Sequence, residues 1–465
     1  MKSFINKENA SKIHYPIIVF FLFLYICPNI RYFGVGEMSY LPGLIILFAY
    51  SFLDKAEFLK YFALLFLCLI WPFLIYSSEY IVNYSSISYL ISLYILTIPI
   101  LSSILLGRII GIRFAENKKI DNQNEIKKTI ILLSFSLLLS GFLNKINPSI
   151  LNTILYTGRT SFSRWTFFFS EPSQSSSVLL IFWFASLHVI FKKNFYDFLG
   201  KNKSIYFLFI IVVTLIFTYL SLPLTLLAQV LIFLSSVFLI YFASYLIKLI
   251  FLNKFYIIDI FNRKIKKHSF YSIALFLIST ISGYFLFYQK NTLLLYRLTN
   301  YVFGTENLLA SIFFIGGFRF YYSFVALIAS FKSPLHFPGM WSGKFAPEMI
   351  SILSDFNILQ SDKFLQLGKD FSVIKPLGWF YFSIYDLGIL GFIIFCLLFF
   401  RKYINYFIKG ILKINFMAIT LFSVQIALLI IPILPSTPSV FFPLLIYSSL
   451  ISYSESVKKK FIISN

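Results

Sequence analysis

Apolar runs of membrane-crossing length recur along nearly the whole chain, and mostly short polar segments part them. A backbone surrounded by hydrocarbon must satisfy its own N–H and C=O groups, and a helix does so within one segment. Some 20 apolar residues suffice to cross the ~30 Å hydrocarbon core. The pattern predicts spans near 15–33, 38–53, 61–78, 87–107, 129–143, 174–191, 204–220, 224–247, 270–288, 376–400, 415–434 and 439–455. Of 465 residues, 59% are hydrophobic and only 12% charged, where a soluble chain carries about a quarter charged. The expected fold class is therefore all-α: a polytopic integral membrane protein of about twelve transmembrane helices, forming a single membrane domain over 1–465.

The net charge of +22 invites a nucleic-acid reading, but its distribution opposes one. With the N-terminus inside, the inward segments hold 28 of the 40 Lys and Arg residues. That bias follows the positive-inside rule and predicts both termini in the cytoplasm. The basic loops at 108–128 and 248–267 then act as topology signals beside anionic lipid. The first apolar run follows Lys2, Lys7 and Lys12 and lacks a small-residue cleavage site, so it reads as a retained span. Cys27, Cys68 and Cys396 lie inside apolar runs and offer neither disulfide nor metal spacing. No P-loop, HExxH motif or GxSxG elbow occurs, and neither a metal nor a cofactor is expected.

Two outward segments stand apart, at 144–173 and 289–375. Within the larger one, between the ninth and tenth spans, residues 308–331 are apolar except for Arg319. A crossing there would put Arg401, Lys402 and Lys458 to Lys460 outside, so the segment reads as a re-entrant or interfacial helix. Prolines and glycines at 334, 338, 339 and 343 then enforce a turn.

The outer face carries Arg159, Arg164, Glu171, Arg297, Arg319, His336 and Lys344. Glu171 precedes Pro172, which fits a first helical turn, so the carboxylate sits against the positive end of a helix dipole. Arginine binds phosphate oxygens in a planar, bidentate way and keeps its charge when partly desolvated. Several of them at the outer membrane face suit a lipid-linked diphosphate, whose tail lies in the bilayer and whose head group sits at that depth. The competing expectation is that they pair with Glu171, Asp355 or lipid phosphates and only fix loop geometry. His336 has the right ordinary pKa for proton transfer, although a histidine in a Pro/Gly-rich loop is more often structural. Trp341, in the Pro/Gly turn, suits a sugar ring, whereas most other outer aromatics fit an interfacial belt. Asp386, inside the tenth span, needs a partner there or a proton.

In this order, Arg159 to Glu171-Pro-Ser, Arg319-Phe-Tyr-Tyr with Ser333-Pro334-Leu, Gly339 and Gly343, and Asp386-Leu-Gly388-Ile-Leu-Gly391 resemble the O-antigen polymerase (Wzy-type) proteins. These belong to the O-antigen polymerase and ligase superfamily of membrane glycosyltransferases. The motifs total some thirty positions within an architecture matched from about residue 60 onward. The loop here reads Gly-Met-Trp-Ser-Gly where a compact Gly-x-Gly is commoner.

The resemblance implies a GT-C-like, all-helical glycosyltransferase in the bacterial inner membrane, with its site facing the periplasm. Its substrates would be undecaprenyl-diphosphate-linked oligosaccharides, and its partners a chain-length regulator and a flippase, with no nucleic acid. The implied catalytic residues are Arg319, Glu171 and His336, and Arg159, Arg164, Arg297, Trp341, Lys344 and Asp386 would bind diphosphate or sugar. An O-antigen ligase is the alternative, although such enzymes usually carry their histidine just before the next span, and here His336 is mid-loop. A lipid-linked oligosaccharide flippase is a further one, disfavoured because the charges gather outside and not along a central cavity.

Overall fold

A computed structural model describes residues 30–32, 35–38, 86–116, 224–252, 318–335, 345–355, 376, 378–412, 415–431 and 438–463, with isolated helical positions near 20–25, 59, 132–146 and 212–216. These residues are helical apart from one short hairpin. In it, β1 (Ile30–Tyr32) pairs antiparallel with β2 (Val35–Met38), Arg31 opposite Glu37. The span expected over 15–33 therefore ends before Ile30. Gly36 lies in β2, next to Val35, which pairs with Tyr32.

The described helices are α1 (Ser86–Glu116), α2 (Leu224–Leu252), α3 (Phe318–Lys332), α4 (Phe345–Asp355), α5 (Trp379–Leu412), α6 (Phe416–Ile430) and α7 (Phe442–Ile463), the last preceded by a 3-10 turn at Pro438–Phe441. Among the described residues, two segments are long and apolar enough by length and composition to cross a membrane, Ile95–Arg113 in α1 and Trp379–Leu412, the whole of α5. The outward sides of α2 and α5 are apolar too: Phe238, Leu239 and Phe242 on one, Ile394, Leu397 and Leu398 on the other, are all exposed. An aqueous exterior disfavours such rows, and lipid does not.

The central helix is α1, and α7 runs alongside it. Gly107 faces Leu445 and Ser448, while Gly111 faces Ser449 and Ser452, so the two helices are parallel. A methyl group on Gly107 would meet the Leu445 carbonyl oxygen, and one on Gly111 the Ser449 carbonyl oxygen. Gly107-Arg-Ile-Ile-Gly111 is a GxxxG pattern, the spacing that lets two helix backbones touch in an apolar medium. Pro99 interrupts the α1 ladder by removing one donor. Ser102 and Ser103 both donate to the Pro99 carbonyl, and Ser103 shares a further 2.8 Å bond with Tyr25.

α5 is not one straight rod. At Gly388 the backbone leaves the helical region, with φ 69 and ψ 167. Trp379 and Phe400 would stand about 31 Å apart in a continuous helix, yet their ring centroids are 6.3 Å apart. Phe392 and Phe395 lie within 6.1 and 6.3 Å of the same indole, and Phe380 meets Phe392 at 5.5 Å. The chain therefore doubles back at Gly388. An ascending arm, 379–387, lies against a descending arm, 389–412, which is about 36 Å long. The span expected over 376–400 is corrected accordingly: its first third turns back on the rest, and the stretch of crossing length is 389–412. Asp386 is the one charged residue beside the turn, and a single acid within an apolar run does not by itself signal a reversal.

The descending arm is tied to α6 by a tight reversal. Asn415 N–H donates to the Gly410 carbonyl at 2.7 Å, and Asn415 caps the first turn of α6 through its side chain to Ala418 N–H. Phe407 packs on Phe422, so α6 returns antiparallel to the arm. Phe400 stacks near Phe441 and Tyr403 lies over Tyr447, so α7 runs parallel to it.

Candidate functional site

Two short helices lie against the ascending arm. α3 has a 15-residue length, about 22 Å, which falls short of a ~30 Å hydrocarbon core. Its buried face is largely small: Ser323, Ala326, Ala329 and Ser330 recur at helical spacing with Val325. That face lets α3 approach the arm closely. Tyr381 shares a hydrogen bond with Ser323 near the start of α3. Beyond its end, Ser333 and Pro334 press on Gly388. A methyl group on Gly388 would lie 2.5 Å from the Ser333 carbonyl oxygen and 2.6 Å from the Pro334 carbonyl carbon. The turn also frees the Leu390 N–H from its ladder, and this group donates to the Pro334 carbonyl at 2.7 Å. Two segments that the sequence keeps some fifty positions apart thus close on one another.

α4 starts Phe345-Ala-Pro347-Glu348. Proline is tolerated in a first turn and an acidic residue is favoured there by the helix dipole. Phe345 meets Tyr322 of α3 edge-on at 5.9 Å and Tyr385 of the arm edge-on at 4.9 Å. The Tyr385 hydroxyl donates to Glu348 Oε2 at 3.0 Å. Met349, Ile352 and Leu353 complete an apolar cluster with Val325, Tyr381 and Tyr385. At the far ends, Lys332 and Asp355 form an exposed 3.5 Å ion pair. Asp355 thus pairs with a lysine, whereas an arginine partner was one expectation.

These contacts fix direction. Tyr322 meets Phe345 at one end and Lys332 meets Asp355 at the other, so α3 and α4 are parallel. Ser323 bonds Tyr381 while Ser333 abuts Gly388, so α3 is parallel to the ascending arm as well. Three helix N-termini, at Phe318, Phe345 and Trp379, therefore gather at one end of the unit. A helix start of this kind carries about half a positive elementary charge. That end is anchored in the scaffold: Trp379 Nε1–H donates to the Leu96 carbonyl at 3.2 Å, about 15 Å along α1 from its start. Trp379 also meets Phe441 edge-on at 4.7 Å, and Tyr381 donates to the Ile430 carbonyl at 2.8 Å.

Of the expected site residues, Arg319 occupies the first turn of α3, at the gathered N-termini. Asp386 lies in the ascending arm, two positions before the turn, and is only 2% exposed. The structure joins the Ser333-Pro334 motif to the Asp386-Leu-Gly388 motif through the Leu390 bond. Arg159, Arg164, Glu171, Arg297, His336, Trp341 and Lys344 lie outside the described residues. Glu348 and Tyr385 belong to no motif and were not singled out in the sequence. The cue available for Glu348 was its place after Pro347 at a helix start, the same pattern in reverse order as Glu171-Pro172. Among the described residues no group of His, Cys, Asp and Glu could hold a metal ion. No family model, curated protein or solved structure matches the chain.

Proposed function

We propose that the protein polymerises polysaccharide repeat units at the outer face of the bacterial inner membrane. It would transfer a growing glycan from undecaprenyl diphosphate to a new repeat unit on the same carrier. The observation that carries this reading is the gathering of three helix N-termini around the turn that bears Arg319. Convergent N–H dipoles and a guanidinium favour an anionic head group, and a departing diphosphate gains charge as the glycosidic bond breaks. A protein that held its substrate by sugar contacts alone would have no use for this clustering of positive ends.

The topology of about twelve spans with both termini inside belongs to the same proposal. It is supported by helix direction: α1, the descending arm of α5 and α7 are mutually parallel, and α6 is antiparallel, the parity that the positive-inside pattern requires of those four spans.

In the reaction, the terminal hydroxyl of the incoming unit attacks the donor's anomeric carbon. The bond from that carbon to the diphosphate oxygen breaks, and its electron pair leaves with undecaprenyl diphosphate. Arg319 and the helix ends stabilise the leaving group. The glycan profile of a strain lacking the gene tests this. Single repeat units where wild type makes long chains support a polymerase. Unattached polymer would instead make the protein a ligase, and carrier-linked units trapped inside would make it a flippase.

A further inference from the structure

We infer that Glu348, aimed by Tyr385, is the group that takes the proton from the attacking hydroxyl. The inference rests on the polymerase reading and deepens it. Glu348 stands in the first turn of α4 and Arg319 in the first turn of α3, and these helices are parallel with their starts adjacent. An anionic head group at Arg319 would therefore place its glycosidic bond near the Glu348 end of α4.

The Glu348 carboxylate is held by a partner on another element. Tyr385 is 3% exposed, and its hydroxyl reaches Oε2 of Glu348, which itself is only half-buried. The Tyr385 ring is fixed edge-on by Phe345, and Phe345 in turn by Tyr322. One oxygen is thus directed by a rigid aromatic stack while the carboxylate retains access from outside. By contrast, Asp355 at the other end of α4 is exposed and paired with an exposed lysine, the arrangement of a surface tie.

The step balances as follows. As the acceptor oxygen bonds to the anomeric carbon, its proton passes to the Glu348 carboxylate, and the electron pair of the breaking bond goes to the diphosphate. Glu348 then returns the proton to water. Tyr385 is a positioning residue, because it acts through Glu348.

The test uses the full chain in lipid vesicles, supplied with carrier-linked repeat units extracted from a strain lacking the gene, with polymerisation rate followed against pH. Glu348→Gln keeps an oxygen for Tyr385 to donate to, but it cannot take a proton. Its rate is expected to fall about 100-fold or more, with loss of the acidic limb of the pH profile. Glu348→Asp should recover part of that rate and restore the limb. Tyr385→Phe should lower the rate about 3- to 10-fold and displace the limb, since the carboxylate remains but is no longer aimed. Asp355→Asn should behave as wild type. Wild-type rates in Glu348→Gln, or a loss with an unchanged pH profile, would reduce the pair to a latch between α4 and α5 and overturn the inference. Absence of polymer from wild-type protein would instead overturn the polymerase reading itself.

Discussion

The seam between α1 and α7 and the outer unit of α3, α4 and the ascending arm are both close-packed helix assemblies, but different forces hold them. Along the seam, backbone meets backbone. Gly107 and Gly111 of α1 face Ser448, Ser449 and Ser452 of α7, and almost no side chain intervenes. In lipid, apolar side chains gain little from leaving their solvent, so dispersion between close backbones does the work. In the outer unit, large rings and hydroxyls interlock instead. Tyr381 reaches across to the end of α6, Tyr385 to α4 and Trp379 to α1. Polar groups there have partners on other elements, and the unit holds the gathered helix starts. The seam joins backbone to backbone, and the outer unit joins its elements through polar and aromatic side chains.

That contrast can be broken by substitution. The largest effect is expected at Arg319. Arg319→Ala should cut long-chain product by about 100-fold or more, the scale of losing a transition-state charge partner. Membrane-inserted protein should stay near wild-type amount, and normal chain-length ladders would remove Arg319 from the mechanism. Gly388→Ala comes next. It combines a positive φ, worth about 1–2 kcal/mol against a side chain, with contact on the Ser333 and Pro334 backbone. A cysteine pair bridging α3 and the ascending arm should cross-link less readily in this variant, and undiminished cross-linking would mean the turn tolerates a side chain.

On the scaffold side, Gly111→Leu should cost about 1–3 kcal/mol through overpacking. The loss should appear as a lower melting temperature of purified protein, with activity per folded molecule unchanged. If specific activity fell instead, the seam would not be inert. Trp379→Phe keeps the ring contacts but loses the donor to Leu96, for which about 1 kcal/mol is expected. Asp355→Asn is the smallest: an exposed pair contributes about 0–1 kcal/mol, so no shift in melting temperature beyond a degree or two should be seen.

Much of the scaffold was legible from the chain alone. Helix starts near 86, 224, 416 and 442 fall within a few residues of the expected spans, because uninterrupted apolar runs leave helix as the main way to satisfy a backbone in lipid. The Gly107 and Gly111 pair is visible in the sequence but was not singled out there. The site was less legible. Arg319 stood out as a candidate because a lone charge inside an apolar run has fewer bland explanations than one among other polar residues. Glu348 was passed over because a carboxylate in a polar loop has many.

What the sequence by itself determined is the helical class and the apolar character of the long segments, since both follow from local composition and the chemistry of lipid. Only the tertiary structure decided that α5 doubles back at Gly388, that α3, α4 and the ascending arm share one direction, and that Tyr385 meets Glu348. The physical reason is that hydropathy records how apolar each stretch is, whereas a reversal between two apolar stretches depends on a glycine with positive φ and on the distant Pro334 carbonyl that receives the freed N–H.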